Sequence, residues 1–172
     1  MSALKGECAS VTRAAELLVQ SLRDGGKLVT FGNGGSASDA QHIAAELVGR
    51  YLKERRALPA IALTVNTSIL TAVANDYGYD RIFARQVEAL VKAGDVIIAL
   101  STSGNSSNVL EGVREAKRRG AQIIGLTGRS GGLLHGLADV SIRVPSDETP
   151  RIQEAHILIG HVLCELAERE LG

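Results

Sequence analysis

Leu28-Val29-Thr30-Phe31-Gly32-Asn33-Gly34-Gly35-Ser36-Ala37 decides the fold. An apolar run with β-branched and aromatic side chains meets a glycine-rich turn, and the chain then continues in a helical pattern to about Arg50. That is strand, turn, helix. Upstream, Leu4, Cys8, Val11, Ala15, Leu18 and Leu22 recur at steps of four and three and are stopped by Gly25-Gly26, which predicts an amphipathic helix over about 2–24. Downstream the alternation repeats. Strands are expected over 60–64, 96–101, 122–126 and 140–144, and helices over 69–74, 82–91, 107–119, briefly near Leu133, and from about 151 to 171. Short, nearly continuous apolar strands separated by helices predict an α/β fold, a doubly wound five-stranded parallel sheet with helices on both faces. The chain, 1–172, reads as one domain, with a polar loop from Pro145 to Pro150 before the last helix.

Composition narrows the function. Nineteen Lys and Arg balance nineteen Asp and Glu, so there is no basic field to attract nucleic acid or an acidic membrane. Aromatics are 3% with no Trp, which leaves few platforms for stacking bases. The longest uninterrupted apolar run, Val96 to Leu100, falls far short of the roughly 18 residues of a membrane span. With no leader-like segment at the start, a soluble, cytoplasmic protein is expected. Cys8 and Cys164, both within helical patterns, are expected as reduced, buried thiols.

In a doubly wound sheet, ligands bind beyond the carboxyl ends of the strands. Two loops there carry information. Gly32-Asn33-Gly34-Gly35-Ser36-Ala37 fits the dinucleotide pattern G-x-G-x-x-A, but the next strand ends Leu63-Thr64-Val65-Asn66, without the acidic residue that would hold a ribose. No NAD or flavin is expected; the glycines instead allow backbone N–H groups to approach a small ligand. Ser101-Thr102-Ser103-Gly104-Asn105-Ser106-Ser107 places five hydroxyls between a buried strand and a helix. A helix cap needs one hydroxyl; five at a helix N-terminus make a phosphate cradle.

His42 and Glu46, four apart on the first crossover helix, share a face and can both reach one metal or one substrate atom. Gln153, His156 and His161 on the last helix are further candidates, although a lone helical histidine is more often a surface or satisfied core residue. Gln153 and His161 are separated by about 12 Å of helix rise. Their convergence on one ion needs either long reach or a neighbouring subunit.

Taken together, Phe31-Gly32-Asn33-Gly34-Gly35-Ser36, Asp39-Ala40-Gln41-His42, Ala45-Glu46-Leu47, Asn75-Asp76, Ser101 to Ser106 and Arg151-Ile152-Gln153-Glu154 closely resemble the phosphoheptose isomerase branch of the sugar isomerase (SIS) family. The resemblance runs from about residue 10 to the C-terminus. It implies a flavodoxin-like fold, a homotetramer with sites at subunit interfaces, and conversion of sedoheptulose 7-phosphate to D-glycero-D-manno-heptose 7-phosphate for bacterial surface glycans. It implies that Ser101, Thr102, Ser103 and Ser106 hold the phosphate, and that Asn33, Gly34, Gly35, Ser36, Asn75, Asp76 and Gln153 line the sugar. His42, Glu46, Gln153 and His161 match zinc ligands, and Glu46 and His161 match the acid/base pair. Moving a carbonyl from C2 to C1 through an enediol requires such a base, an acid and an electrophile near the oxygens. Two departures stand out: family members usually carry a further N-terminal helix, and an Asp that precedes the Arg-Ile-Gln motif in some members is Pro150 here. A non-enzymatic SIS branch binds the replication initiator protein, but lacks counterparts of Glu46 and His161. SIS sugar-phosphate sensors are usually joined to a DNA-binding module, for which this length leaves no room.

Overall fold

Five parallel strands form one sheet, and their order follows from the crossovers between them. The computed structural model describes residues 6–172. In chain order these form α1 (Cys8–Arg23), β1 (Leu28–Phe31), α2 (Gly35–Val48), β2 (Ala60–Ala62), α3 (Thr67–Tyr77), a 3-10 turn (Tyr79–Arg81), α4 (Ile82–Leu90), β3 (Val96–Ser101), α5 (Ser107–Arg118), β4 (Gln122–Thr127), α6 (Gly132–Leu137), β5 (Val140–Arg143) and α7 (Thr149–Leu171). The order across the sheet is β2-β1-β3-β4-β5. Leu28 pairs with Ala60 on one side and Val96 on the other. This is the flavodoxin-like order, whose direction reverses between β1 and β3.

Because strand side chains alternate between faces, one strand feeds two cores. Val96, Ile98 and Leu100 join Leu18, Ile43, Leu47 and Leu163 beneath α1, α2 and α7. Ile97 and Ala99 join Phe31, Phe83, Val109 and Val113 beneath α4 and α5. The loops after β1 and β3, both singled out in the sequence, leave side by side at the reversal point.

Several boundaries differ from expectation. β2 ends at Ala62 because it is an edge strand whose only neighbour, β1, is itself ending; Leu63 N–H still donates to Thr30 at 2.9 Å. α3 starts at Thr67 because Asn66 caps it through a side-chain bond from Ile69 N–H, a polar signal invisible to apolar periodicity. α7 starts at Thr149, with Pro150 in its first turn, where a missing N–H costs nothing. The first helix begins at Cys8, and residues 2–5 of the expected 2–24 lie outside the described residues. Cys164 is buried, but Cys8, expected to be buried, is exposed: it occupies the first turn, before α1 meets the core. No described helix is long and apolar enough to cross a membrane.

Candidate active site

The two helices that carry the candidate side chains approach closely because one of them carries a glycine at the crossing. A Cβ on Gly160 would stand 2.7 Å from the Ile43 side chain. Each of these residues adjoins a candidate histidine, so the contact that brings α2 onto α7 also brings His42 to His161. His42 Nε2 lies 3.0 Å from His161 Nε2 and 3.1 Å from Glu46 Oε1. One donor atom from each of His42, Glu46 and His161 falls within 4.8 Å of the other two, and all come from one chain. The sequence left open whether two subunits were needed to join these residues; for these three they are not.

The donor set fits a metal ion. Ligand atoms on one tetrahedral zinc, bound at about 2.0–2.3 Å, lie roughly 3.3–3.7 Å apart, close to the spacing found. Two ring nitrogens facing each other at 3.0 Å require at least one to be deprotonated, which is the ligating form. Gln153, two turns before His161 on α7, packs against the start of α2, where a Cβ on Gly35 would stand 2.5 Å from its amide nitrogen. Further along α2, burial raises the Asp39 carboxyl above the ordinary range, and the neighbouring His42 acts against that rise.

The hydroxyl-rich loop is folded on itself and against α6. Ser101 Oγ and Ser106 Oγ are 3.0 Å apart, and Asn105 N–H donates to Ser103 Oγ. Ser106 is the N-cap of α5 yet makes no side-chain cap bond, so the capping explanation for its hydroxyl does not hold. Gly34, the N-cap of α2, has no side chain to offer. Two helix N-termini, both without side-chain caps, therefore flank the crevice between β1 and β3 and favour an anion there.

Asn33 is fixed by a reciprocal amide pair with Asn108, 2.8 Å in each direction, and accepts from the Tyr79 hydroxyl. Asn75 and Asp76 are exposed in the last turn of α3 and bond to each other. The 3-10 turn that follows reaches the two loops, with Tyr79 on Asn33 and Asp80 accepting from Ser107 Oγ. His156, weighed as a site candidate, is wholly buried, with Nε2 3.2 Å from the Thr127 carbonyl. It lies on the face of α7 turned toward β4, apart from the three clustered donors. Tyr79, Asn108 and Tyr51, whose ring lies 5.4 Å from that of His161, were not found by sequence reasoning. No periodicity or spacing marks contacts made across such distances in the chain.

Both the sequence and the flavodoxin-like fold have counterparts among known proteins. Residues 1–128 match the SIS domain family model, and the chain belongs to that family. It is 58% identical to the phosphoheptose isomerase of Rhodospirillum rubrum over 96% of this chain and 89% of that protein. It is 60% identical to that of Aquifex aeolicus, covering 92% and 83%. The solved phosphoheptose isomerase of Neisseria gonorrhoeae superposes with a TM-score of 0.92 at 47% identity, covering 98% of this chain and 90% of that one. Within the SIS family, the chain belongs to the phosphoheptose isomerases.

Proposed function

We propose that this chain interconverts sedoheptulose 7-phosphate and D-glycero-D-manno-heptose 7-phosphate as a ketose–aldose isomerase in heptose biosynthesis. The observation that carries the reading is the meeting of the His42, Glu46 and His161 donor atoms within 4.8 Å of one another. Ser101, Thr102, Ser103 and Ser106, with the free N–H groups of the α5 N-terminus, hold the phosphate. Asn33, Gly34, Gly35, Ser36, Asn75, Asp76 and Gln153 bind the sugar chain.

Glu46 removes a proton from C1 of the ketose, the electrons move to form the C1–C2 double bond, and the C2 carbonyl oxygen takes a proton from His161. In the second half His161 withdraws the proton from the O1 hydroxyl, the C1 carbonyl forms, and the protonated Glu46 delivers its proton to C2. No proton is gained or lost overall. His42, Glu46, Gln153 and His161 would hold a zinc ion, which when bound polarises the sugar oxygens and disperses the negative charge of the enediolate. The protein acts in this reading as one SIS domain over 1–172, cytoplasmic, and as a homotetramer. Exposed Val65, Tyr77, Tyr79 and Leu133 offer apolar surface for such contacts.

Incubation of the purified, zinc-loaded protein with sedoheptulose 7-phosphate, followed by NMR of the sugar, tests the reading. The aldose 7-phosphate is expected to accumulate to a fixed ratio from either direction. Absence of turnover in both directions would refute it.

A further inference from the structure

Behind the His/Glu/His cluster lies a buried charge pair with no part in the chemistry above. The side chains of Arg55 and Glu168 are 1% and 2% exposed, with Arg55 Nε 3.8 Å from Glu168 Oε1. Each does more than face the other. Arg55 Nη2 donates to the Glu46 carbonyl at 2.8 Å, and Nη1 donates to the carbonyls of Leu47, Gly49 and Arg56. These include carbonyls at the C-terminal end of α2, which lack helical partners. Glu168, on α7 two turns beyond His161, accepts the Leu52 and Lys53 N–H groups, both at 2.7 Å. Burial acts to raise its carboxyl, but those two amides and Arg55 outweigh it and hold it below the ordinary range. A buried charge pair with this many main-chain partners is costly to break, although Arg55 Nε itself makes no hydrogen bond, and it fixes three segments relative to one another: the end of α2, the loop that follows, and α7.

That loop carries Tyr51, the residue immediately before the two clamped amides. Its ring lies 5.4 Å from that of His161 at 31°, and the His42 ring lies 5.1 Å from it at 55°. A histidine ring turns easily about its last side-chain torsion, because that torsion is broad. With Tyr51 and His42 both against it, the His161 ring has two aromatic neighbours that limit that turn. We propose that Tyr51 is a positioning residue that fixes the His161 imidazole toward His42 and Glu46, and that the Arg55–Glu168 clamp holds Tyr51 there. The inference rests on the isomerase reading for His161. It assigns the work to the Tyr51 ring, not its hydroxyl, because ring packing is the contact observed.

The test compares Tyr51→Phe, Tyr51→Ala, Glu168→Gln and the Tyr51→Ala/Glu168→Gln double variant, measuring kcat, KM, zinc affinity against a chelating dye, and amide exchange at Leu52 and Lys53. Tyr51→Phe should stay within about twofold of the parent, whereas Tyr51→Ala should lose roughly 10-fold to 100-fold in kcat, in zinc affinity or in both, with KM within about twofold. Glu168→Gln should speed exchange at both amides and lower kcat in the same direction. The double variant should be no worse than the poorer single one, since both act through one ring. Parental kcat and zinc affinity in Tyr51→Ala would overturn the proposal. So would a rise in KM alone, equal damage from Phe and Ala, or strictly multiplicative losses. If Glu168→Gln does not fold, the two Tyr51 variants decide. If the parent itself shows no turnover, the isomerase reading fails, while the zinc affinities still judge the positioning role.

Discussion

Gly160 and Ile43 touch where α7 crosses α2, and there is no room between them for even one methyl group: a Cβ on the glycine would stand 2.7 Å from the isoleucine side chain. The geometry of the candidate site depends on packing. The histidines that adjoin these two residues, 119 positions apart in sequence, meet at 3.0 Å because the helices can approach this closely. Gly160→Ala should gain a little helix propensity yet lose more to overpacking, a net destabilisation of about 1–2 kcal/mol, with kcat reduced by the splayed site. Urea denaturation alongside steady-state kinetics reads both.

The zinc proposed for His42, Glu46, Gln153 and His161 can be tested by its removal. The purified protein should carry one divalent ion per chain, chelation should abolish turnover, and zinc should restore it. His42→Ala should neither retain the ion nor respond to added zinc. Chelation should also lower the thermal midpoint of the parent, because an ion that binds only the folded form stabilises it. Elemental analysis and thermal scans of the parent and His42→Ala provide the comparison.

Gly104 anchors the hydroxyl-rich loop. Its φ is +68°, and a Cβ there would stand 2.1 Å from the Gly131 carbonyl oxygen. Gly104→Ala therefore carries a left-handed backbone penalty and a collision with main chain, together about 2–5 kcal/mol. The loop must shift away from α6, so KM for the sugar phosphate should rise in whatever fraction remains folded. Denaturant midpoints and saturation curves check the two effects separately.

His156 makes stability depend on pH. Burial outweighs its hydrogen bond to the Thr127 carbonyl and lowers its pKa from 6.5 to about 4. Between those values the unfolded chain takes up a proton that the folded chain does not, so stability falls as pH drops from 6.5 toward 4. The slope attributable to this residue is about 1.4 kcal/mol per pH unit. Above pH 6.5 both states are neutral and the contribution is constant. Urea midpoints measured from pH 4.5 to 7.5 should show this slope in the parent and a shallower one in His156→Gln.

What the sequence disclosed was whatever repeats or clusters locally. Leu28 to Phe31 and Val96 to Ser101 gave the central strands because runs buried on both faces are apolar throughout. The i, i+4 spacing of His42 and Glu46 gave half of the site. The other half depends on contacts without local signature. Asn108 is an ordinary polar residue until its amide is seen paired with Asn33, and Arg55 and Glu168 look like surface charges until both prove buried. Cys8 shows the converse error: it fits the apolar period of α1, but that period continues past the edge of the core.

The measurement that bears most directly on the whole is turnover of sedoheptulose 7-phosphate by Glu46→Gln beside the parent. Gln keeps the size and hydrogen-bonding reach of the side chain but cannot take a proton from carbon. A loss of about 100-fold to 10,000-fold in kcat in a folded protein is expected. Parental turnover in Glu46→Gln would contradict the role of this carboxylate, and with it the claim that α2 and α7 bring base and acid together on the sugar.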